Sequence, residues 1–437
     1  MLKNQYDYID FYYMIYGLDA VSAYQTHYIK NITFQVTEDC NLGCSYCYQI
    51  CKSKNKMTFD TAKKIIDYLF AERENPQSEF CEEKTKGFVF DFIGGEPFLE
   101  IDLIEQICDY FEERLLQYPN SPWIINHAYS FSTNGTLYFT PKVQHYINKY
   151  REYLSISITI DGCKELHDQC RVFKGTNEGS YDIAIRAALN ELHNNHNGAT
   201  KITMAPANIK YVAKGLINML SLGFTIININ CVFEEGWQLS DAQELYNQMN
   251  IVSKYLIDND LNDKVYIAIF DAGKYRPISE DTLAHNWCGV SSRTMTAFNY
   301  KGDMYPCIRF MESSTGHNVE PFIVGNIEHG LCGTPEEEER YEKVSSLTVE
   351  SMSPQKCINC SIGSGCAWCT GYCYQRGDIE HKTLFNCQMY KAQALACKKY
   401  YHDIKDWETY NKINIPDEMA LEIISQEEWN KFNKKEG

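Results

Sequence analysis

A regular alternation of apolar runs with longer amphipathic segments, from about residue 31 to 270, constrains the fold of this chain more than any other feature. The apolar runs are rich in β-branched and aromatic residues and start at Asn31, Gly87, Ala128, Tyr153, Lys201 and Phe224. Helix-type segments lie between them, as the crossovers of parallel strands require. Since six units are fewer than the eight of a closed barrel, we predict an α/β fold with a partial (β/α)6 TIM-type barrel and a site at the C-terminal ends of its strands.

The amino-acid composition limits which binding partners and which cellular compartment we expect. The chain carries 41 Lys and Arg against 58 Asp and Glu, a net charge of -17, which argues against nucleic acid or an anionic membrane as a partner. It has no apolar stretch of about 18 residues and no signal-peptide pattern at its start, so we expect a cytoplasmic protein with no membrane partner. Nineteen cysteines without an export signal indicate metal ligands rather than disulfides.

The domain organisation follows from where the pattern changes. After about residue 271 the periodicity fades and cysteines become frequent, which indicates a separate domain that bound metal stabilises. We therefore predict an N-terminal segment (1–30), the barrel (31–270), a cysteine-rich domain (271–400) and a C-terminal helical tail (401–437).

Three cysteines follow the first predicted strand in the stretch TEDCNLGCSYCYQ. Cys40, Cys44 and Cys47 therefore sit in a loop at the mouth of the barrel. Three thiolates on a 4Fe-4S cluster leave one iron without a protein ligand, and that iron can bind a substrate or cofactor. A zinc knuckle and three unrelated buried cysteines are the alternatives.

The spacing CxxxCxxC, with Tyr46 before its last cysteine, resembles the signature of radical S-adenosylmethionine enzymes. The resemblance implies that the open iron chelates the amino and carboxylate groups of the methionine moiety. The second strand ends in GGEPF, and the resemblance implies that this segment, Gly94, Gly95 and Glu96, contacts that amino group. On its own, the glycine pair would indicate only a turn.

Further candidate cofactor contacts stand at the ends of the next strands. The segments STNGT and SITIDG place polar groups suited to a ribose at the same rim, namely Ser132, Asn134, Ser157 and Asp161. Farther on, Arg171 carries a fixed charge that suits a carboxylate, and in related peptide maturases an arginine helps to hold that of S-adenosylmethionine. A surface ion pair is the alternative for an isolated arginine.

The C-terminal cysteines resemble the SPASM extension of the same enzymes, with two further clusters. The resemblance implies that Cys357, Cys360, Cys366 and Cys387 ligate the outer cluster, and that Cys288, Cys307 and either Cys369 or Cys373 ligate the inner one. We favour Cys369, since GCAWC resembles a subgroup of peptide maturases. If Cys373 or Cys332 also binds, the inner cluster is closed; otherwise its open iron can hold a substrate thiolate. A pair of structural zinc sites is the alternative.

The resemblance implies three 4Fe-4S clusters, S-adenosylmethionine and a 5'-deoxyadenosyl radical that abstracts a hydrogen atom from the substrate. We hypothesise an anaerobic oxidoreductase that forms a thioether cross-link in a ribosomally made, cysteine-containing precursor peptide. The expected partners include a reductant such as flavodoxin or ferredoxin. Because only about thirty residues precede the first strand, we expect the leader peptide to bind elsewhere or on a separate leader-binding protein. The sequence identifies no catalytic side chain.

Three other functions stay open. Related maturases form carbon–carbon or ether cross-links with the same architecture. A sulfatase-type formylglycine maturase relies on an aspartate directly after the GxxxxC cysteine, where this chain has Ile308. In a non-enzymatic iron–sulfur electron carrier or a zinc scaffold, the cysteines would only hold the bound metal and take no part in catalysis.

Overall fold

The structure is a computed structural model that describes residues 29–195, 198–317 and 319–433. Nearly all of the predicted N-terminal segment (1–30) lies outside the described residues. Among those residues, none of the helices combines the length and the apolar character needed to cross a bilayer.

The first half of the chain alternates strands and helices, as predicted. The strands are β1 (Ile29–Thr37), β2 (Gly87–Gly94), β3 (His127–Thr133), β4 (Leu154–Ile158), β5 (Ala199–Met204), β6 (Ile226–Cys231) and the short β7 (Tyr266–Ile267). The helices between them are α1 (Phe59–Glu72), α2 (Ile101–Leu115), α3 (Pro141–Tyr150), α4 (Lys164–His167), α5 (Tyr181–Asn195), α6 (Val212–Ser221) and α7 (Leu239–Asp258). All six predicted strands are present, and the predicted partial α/β barrel is confirmed.

The second half contains shorter elements. They are α8 (Glu280–Ala284), β8 (Met295–Phe298), β9 (Asp303–Tyr305), α9 (Glu312–Thr315), β10 (Gly325–Asn326), β11 (Gly330–Leu331), α10 (Pro335–Ser345), α11 (Val349–Met352), α12 (Gln355–Ile358), α13 (Thr370–Gln375), α14 (Cys387–Asp403), α15 (Trp407–Lys412), α16 (Asp417–Leu421) and α17 (Gln426–Phe432). The extra cysteine-rich region is consistent with a SPASM domain, whereas the exact domain boundaries stay predictions.

The sheet joins the two halves of the chain. Strands β1 to β4 are parallel neighbours, and β8 pairs in parallel with the other side of β1, with Asn31 opposite Met295. Strands β9, β10 and β11 continue that edge in antiparallel order, while β5, β6 and β7 form a second parallel sheet. The cysteine-rich half therefore extends the barrel sheet, a connection that the sequence did not predict.

Alternation along the strands separates an apolar side from a polar one. Phe34, Phe90 and Phe92 face the helices and are buried, and helix α1 completes that layer with Ile65 and Leu69. The opposite side of the strands faces the barrel interior, where Ser157, Lys201 and Asn230 line an open cavity. The barrel thus has a buried apolar layer between strands and helices and a polar interior.

Candidate functional site

The loop that carries Cys40, Cys44 and Cys47 is fixed by backbone hydrogen bonds. Gly43 N donates to Val172 O at 2.8 Å, and Ser45 N donates to Cys170 O at 3.0 Å. Cys40 is buried, while Cys44 and Cys47 are half-buried. The segment that brings Arg171 to the site therefore also shapes the cysteine loop.

The end of β2 clamps the start of the same loop. Gly95 N donates to Thr37 O at 3.1 Å, and Glu96 N donates to Asp39 O at 2.9 Å. A Cβ on Gly95 would lie 2.2 Å from Asp39 O and 2.7 Å from the Cβ of Cys40. Any side chain there would push the cysteine loop away, so the close approach requires glycine.

Glu96 lies at the centre of a buried hydrogen-bond network. Its Oε1 accepts from the Thr133 hydroxyl at 2.6 Å and from Phe98 N at 3.1 Å, and its Oε2 accepts from Asn134 N at 2.9 Å. Asn134 Nδ2 in turn donates to Asn41 Oδ1 at 2.8 Å. Burial raises the pKa of Glu96, and these donors offset part of that rise. The network joins the ends of β2 and β3 to the cysteine loop.

One cavity of about 370 Å³ brings most of the predicted residues together. Its lining includes the following predicted residues: Cys40, Cys44, Tyr46, Cys47, Gly94, Gly95, Glu96, Ser132, Asn134, Ser157, Arg171 and Cys369. The side chains of Ser132 and Ser157 are exposed within it. Thiols, hydroxyls and a guanidinium thus share one open chamber at the C-terminal ends of the strands.

Asp161 is placed differently from the other predicted contacts. It is fully buried and does not line the cavity. Its Oδ2 accepts from Arg171 Nε at 2.8 Å and from the Tyr46 hydroxyl, and its Oδ1 accepts from Thr203 N at 2.9 Å. Asp161 therefore orients Arg171 and Tyr46 and links β4 to β5, and it reaches a bound molecule only through those two side chains.

The donor set around the cavity fits an iron–sulfur cluster and S-adenosylmethionine. Burial raises the pKa of the Cys40 and Cys44 thiols, so iron binding there displaces protons. Within the described residues, no group of three or more His, Cys, Asp and Glu side chains is spaced as a single ion requires. Cluster ligands need not meet at one point, because each thiolate binds a different iron. The hydroxyls of Ser132 and Ser157 supply hydrogen-bonding groups for a ribose.

The C-terminal cysteines form two sets. Burial raises the pKa of Cys307 well above its usual value, and the nearby thiols of Cys288 and Cys369 raise it further. We call these three the inner set. Burial raises the pKa of Cys366 to about 12, with further contributions from Cys387, Cys357 and Cys360, which together form the outer set.

The two remaining candidates, Cys373 and Cys332, have different neighbours. Burial raises the pKa of Cys373 to about 11, and the nearest cysteine that adds to this rise is Cys369. Burial also raises the pKa of Cys332 to about 11, but its charged neighbours are Arg293 and glutamates. Cys373 lies one helical turn after Cys369, since Cys373 N donates to Cys369 O at 2.9 Å, whereas Cys332 follows β11 and its N donates to Val324 O at 2.8 Å.

Four further charged side chains line the cavity. Lys52 lies beside the cysteine loop, and Lys201 projects into the lumen from β5. Arg309 forms an ion pair with Glu234, at 2.7 Å between Nη2 and Oε1. No motif marks these residues, although the alternation in KITM places Lys201 on the inward side of its strand.

Asp91 gives a testable pH dependence. It faces Ser130 across β2 and β3, and burial raises its pKa to about 6. Since the folded state keeps its proton at higher pH than the unfolded chain, the contribution of Asp91 to stability falls as the pH rises through about 4 to 6. We expect the stability of Asp91→Asn relative to wild type to rise by about 1.4 kcal/mol from about pH 5 to about pH 7.5.

Anaerobic urea unfolding at both pH values measures this difference. The same substitution at the exposed Asp263 serves as the control. If the difference in unfolding free energy between Asp91→Asn and the wild type were the same at both pH values, the raised pKa of Asp91 would be refuted.

Comparisons with known proteins agree with this geometry, although no protein-family model matches the chain. The chain is 26% identical over 283 residues to an uncharacterized protein of Methanocaldococcus jannaschii, covering 64% of this chain and 85% of the relative. It is 23% identical to the radical SAM cyclopropyl synthase TigE of Paramaledivibacter caminithermalis, covering 87% and 79%. A cysteine-type anaerobic sulfatase-maturating enzyme of Clostridium novyi is 28% identical over 33% of this chain and 36% of its own length.

Solved structures share the fold. Native anSMEcpe with bound AdoMet and the Kp18Cys peptide superposes with a TM-score of 0.60 at 17% identity, covering 88% of this chain and 99% of the other. SuiB of Streptococcus suis bound to the precursor peptide SuiA superposes with a TM-score of 0.54 at 13% identity, covering 87% and 81%. Together with the cysteine patterns, these matches agree with the predicted resemblance: the chain is similar to radical S-adenosylmethionine enzymes, and it shares the fold of solved peptide maturases of the SPASM type.

Proposed function

We propose that this enzyme is a peptide maturase that forms a thioether cross-link between a cysteine sulfur and a carbon atom of a ribosomally made precursor peptide. The observation that carries this proposal is that Cys369 of the inner set lines the same cavity as Cys40, Cys44 and Cys47. A substrate in that cavity would face the radical-generating site on one side and an auxiliary cluster on the other.

The proposed cofactors are three 4Fe-4S clusters and one S-adenosylmethionine. When bound, the cluster at Cys40, Cys44 and Cys47 together with S-adenosylmethionine supplies a 5'-deoxyadenosyl radical. The chain's own residues position these groups. Arg171, held by Asp161, offers a guanidinium to a carboxylate, and the network of Glu96 and Asn134 fixes the rim beside the cysteine loop.

The proposed reaction balances in atoms and electrons. A thiol and a C–H bond become a carbon–sulfur bond with the loss of two hydrogen atoms. One leaves as a hydrogen atom to the 5'-deoxyadenosyl radical, and the other leaves as a proton and an electron. The electron needs an acceptor near the reacting carbon, and a cluster bound by the inner set, whose Cys369 lines the cavity, would supply one.

The relatives support a peptide substrate, because the anSMEcpe and SuiB structures contain peptides. The name of TigE, a cyclopropyl synthase, favours carbon–carbon bond formation as a second candidate. The relative from Clostridium novyi favours the sulfatase-maturase alternative, whereas Ile308 directly after Cys307 opposes it. Further proposed partners are flavodoxin or ferredoxin as reductant and a separate leader-binding protein.

The experiment that tests the proposal incubates the reconstituted enzyme anaerobically with S-adenosylmethionine, a reductant and a cysteine-containing peptide encoded beside its gene. A thioether product has lost the mass of two hydrogen atoms, and its cysteine no longer reacts with iodoacetamide. The same mass loss with a reactive cysteine would indicate a carbon–carbon bond instead. Loss of the sulfur atom would establish the formylglycine reaction.

A further inference from the structure

Arg309 is enclosed between two segments that carry inner-set cysteines. It stands two residues after Cys307, in the turn Ile308–Phe310, and lines the cavity together with Cys369. Its main chain and Cβ pack against Gly371, where an added Cβ would lie 2.5 Å from the Cβ of Arg309. The side chain is only 13% exposed. A guanidinium cation is thus held in the low-dielectric wall beside the inner set.

Its other neighbours hold it in place without neutralising it fully. The guanidinium lies 5.1 Å from the ring centre of Tyr48 and 5.6 Å from that of Tyr372. Glu234 pairs with it at 2.7 Å and is itself 34% exposed, so water screens that carboxylate more than the cation. Cys369 of the inner set lines the same cavity as this cation.

We propose that Arg309 is a fixed positive charge that raises the reduction potential of the inner auxiliary cluster. The proposal rests on the proposed function, which supplies that cluster. Reduction adds one negative charge to a cluster, and a nearby buried cation stabilises the added charge. The electron released as the carbon radical and the cysteine sulfur form the carbon–sulfur bond would then pass more readily to the inner cluster, while the thiol proton leaves to solvent. Arg309 acts here as a positioning charge rather than as a catalytic residue.

Three substitutions separate charge from packing. Arg309→Gln removes the cation, Arg309→Lys keeps it, and Glu234→Gln removes only its counter-charge. Iron is counted first in each full-length protein after anaerobic reconstitution. Each protein is then titrated with dithionite, and the midpoint is followed by electron paramagnetic resonance, using the signal that Cys307→Ala abolishes to identify the inner cluster.

We expect Arg309→Gln to lower the midpoint, so that the ratio of reduced to oxidised inner cluster at the wild-type midpoint falls on the order of tenfold. Glu234→Gln should move the midpoint in the opposite direction, and Arg309→Lys should stay near the wild type. Midpoint shifts of equal sign in Arg309→Gln and Glu234→Gln, or unchanged midpoints at full iron content, would overturn the proposal. If Arg309→Gln does not fold, an unmoved Glu234→Gln midpoint overturns it alone.

Failure of the proposed function gives a different result from failure of the proposed role of Arg309. A wild-type iron content of about eight, with no signal that depends on Cys307, would show that the inner cluster itself is absent. That result would overturn the cofactor assignment before any titration, and the role of Arg309 with it.

Discussion

Replacing Cys40, Cys44 and Cys47 together with alanine is expected to abolish the formation of 5'-deoxyadenosine on reduction, while the wild type forms it. These three thiols share one cavity, and the inner and outer sets lie in the second half of the chain. The variant should therefore lose one cluster and keep two, so its iron should fall from about twelve to about eight atoms per chain. Iron and zinc counts after anaerobic reconstitution, together with chromatography of the nucleoside, measure both effects.

Cys51 supplies the matched control for this variant. It follows the same loop four residues after Cys47, is half-buried and does not line the cavity. Cys51→Ala should therefore keep about twelve irons and form 5'-deoxyadenosine at the wild-type rate. Zinc in place of iron in the wild type, or an unchanged iron count in the triple variant, would refute the radical-generating site and favour the zinc scaffold.

The strands of the barrel could be predicted because each combines local signals. A run such as GFVFDFI is rich in aromatic and β-branched residues and is followed by a glycine pair, and it forms β2. Strand β8 was missed because Met295–Phe298 has only four residues. Its partner β1 stands more than 250 residues earlier, and no local pattern encodes a pairing over that distance.

The site shows the same division between local and distant information. Spacing within one loop selects Cys40, Cys44 and Cys47, since a cluster needs its ligands close together in space. Arg309 and Glu234 carry no such signal, because their pairing spans 75 residues and depends on how the loop after β6 meets the turn after Cys307. Asp161 was found by its place at a strand end, but only the folded structure shows both carboxylate oxygens occupied by protein donors.

The substitution Asp161→Asn is expected to reduce strongly both stability and the binding of S-adenosylmethionine. Arg171, 12% exposed, would keep its charge beside a neutral amide, while Tyr46 and Thr203 N would compete for the single remaining acceptor. Removing one partner of a buried ion pair costs about 3–5 kcal/mol. We therefore expect that loss in anaerobic urea unfolding, together with weaker binding of S-adenosylmethionine in equilibrium dialysis.

A double variant and a surface control distinguish the buried pair from a general effect of charge removal. Adding Arg171→Met to Asp161→Asn removes the stranded cation, so a large part of the lost stability should return, although binding should not. Asp102→Asn breaks the ion pair with Lys142, whose side chains are 61% and 68% exposed, and should cost less than about 1 kcal/mol. If Asp161→Asn were as stable as Asp102→Asn, Asp161 would not be the residue that holds Arg171 in the cavity wall. Equal binding of S-adenosylmethionine by the double variant and by Arg171→Met alone would show that Asp161 acts on the cofactor through Arg171.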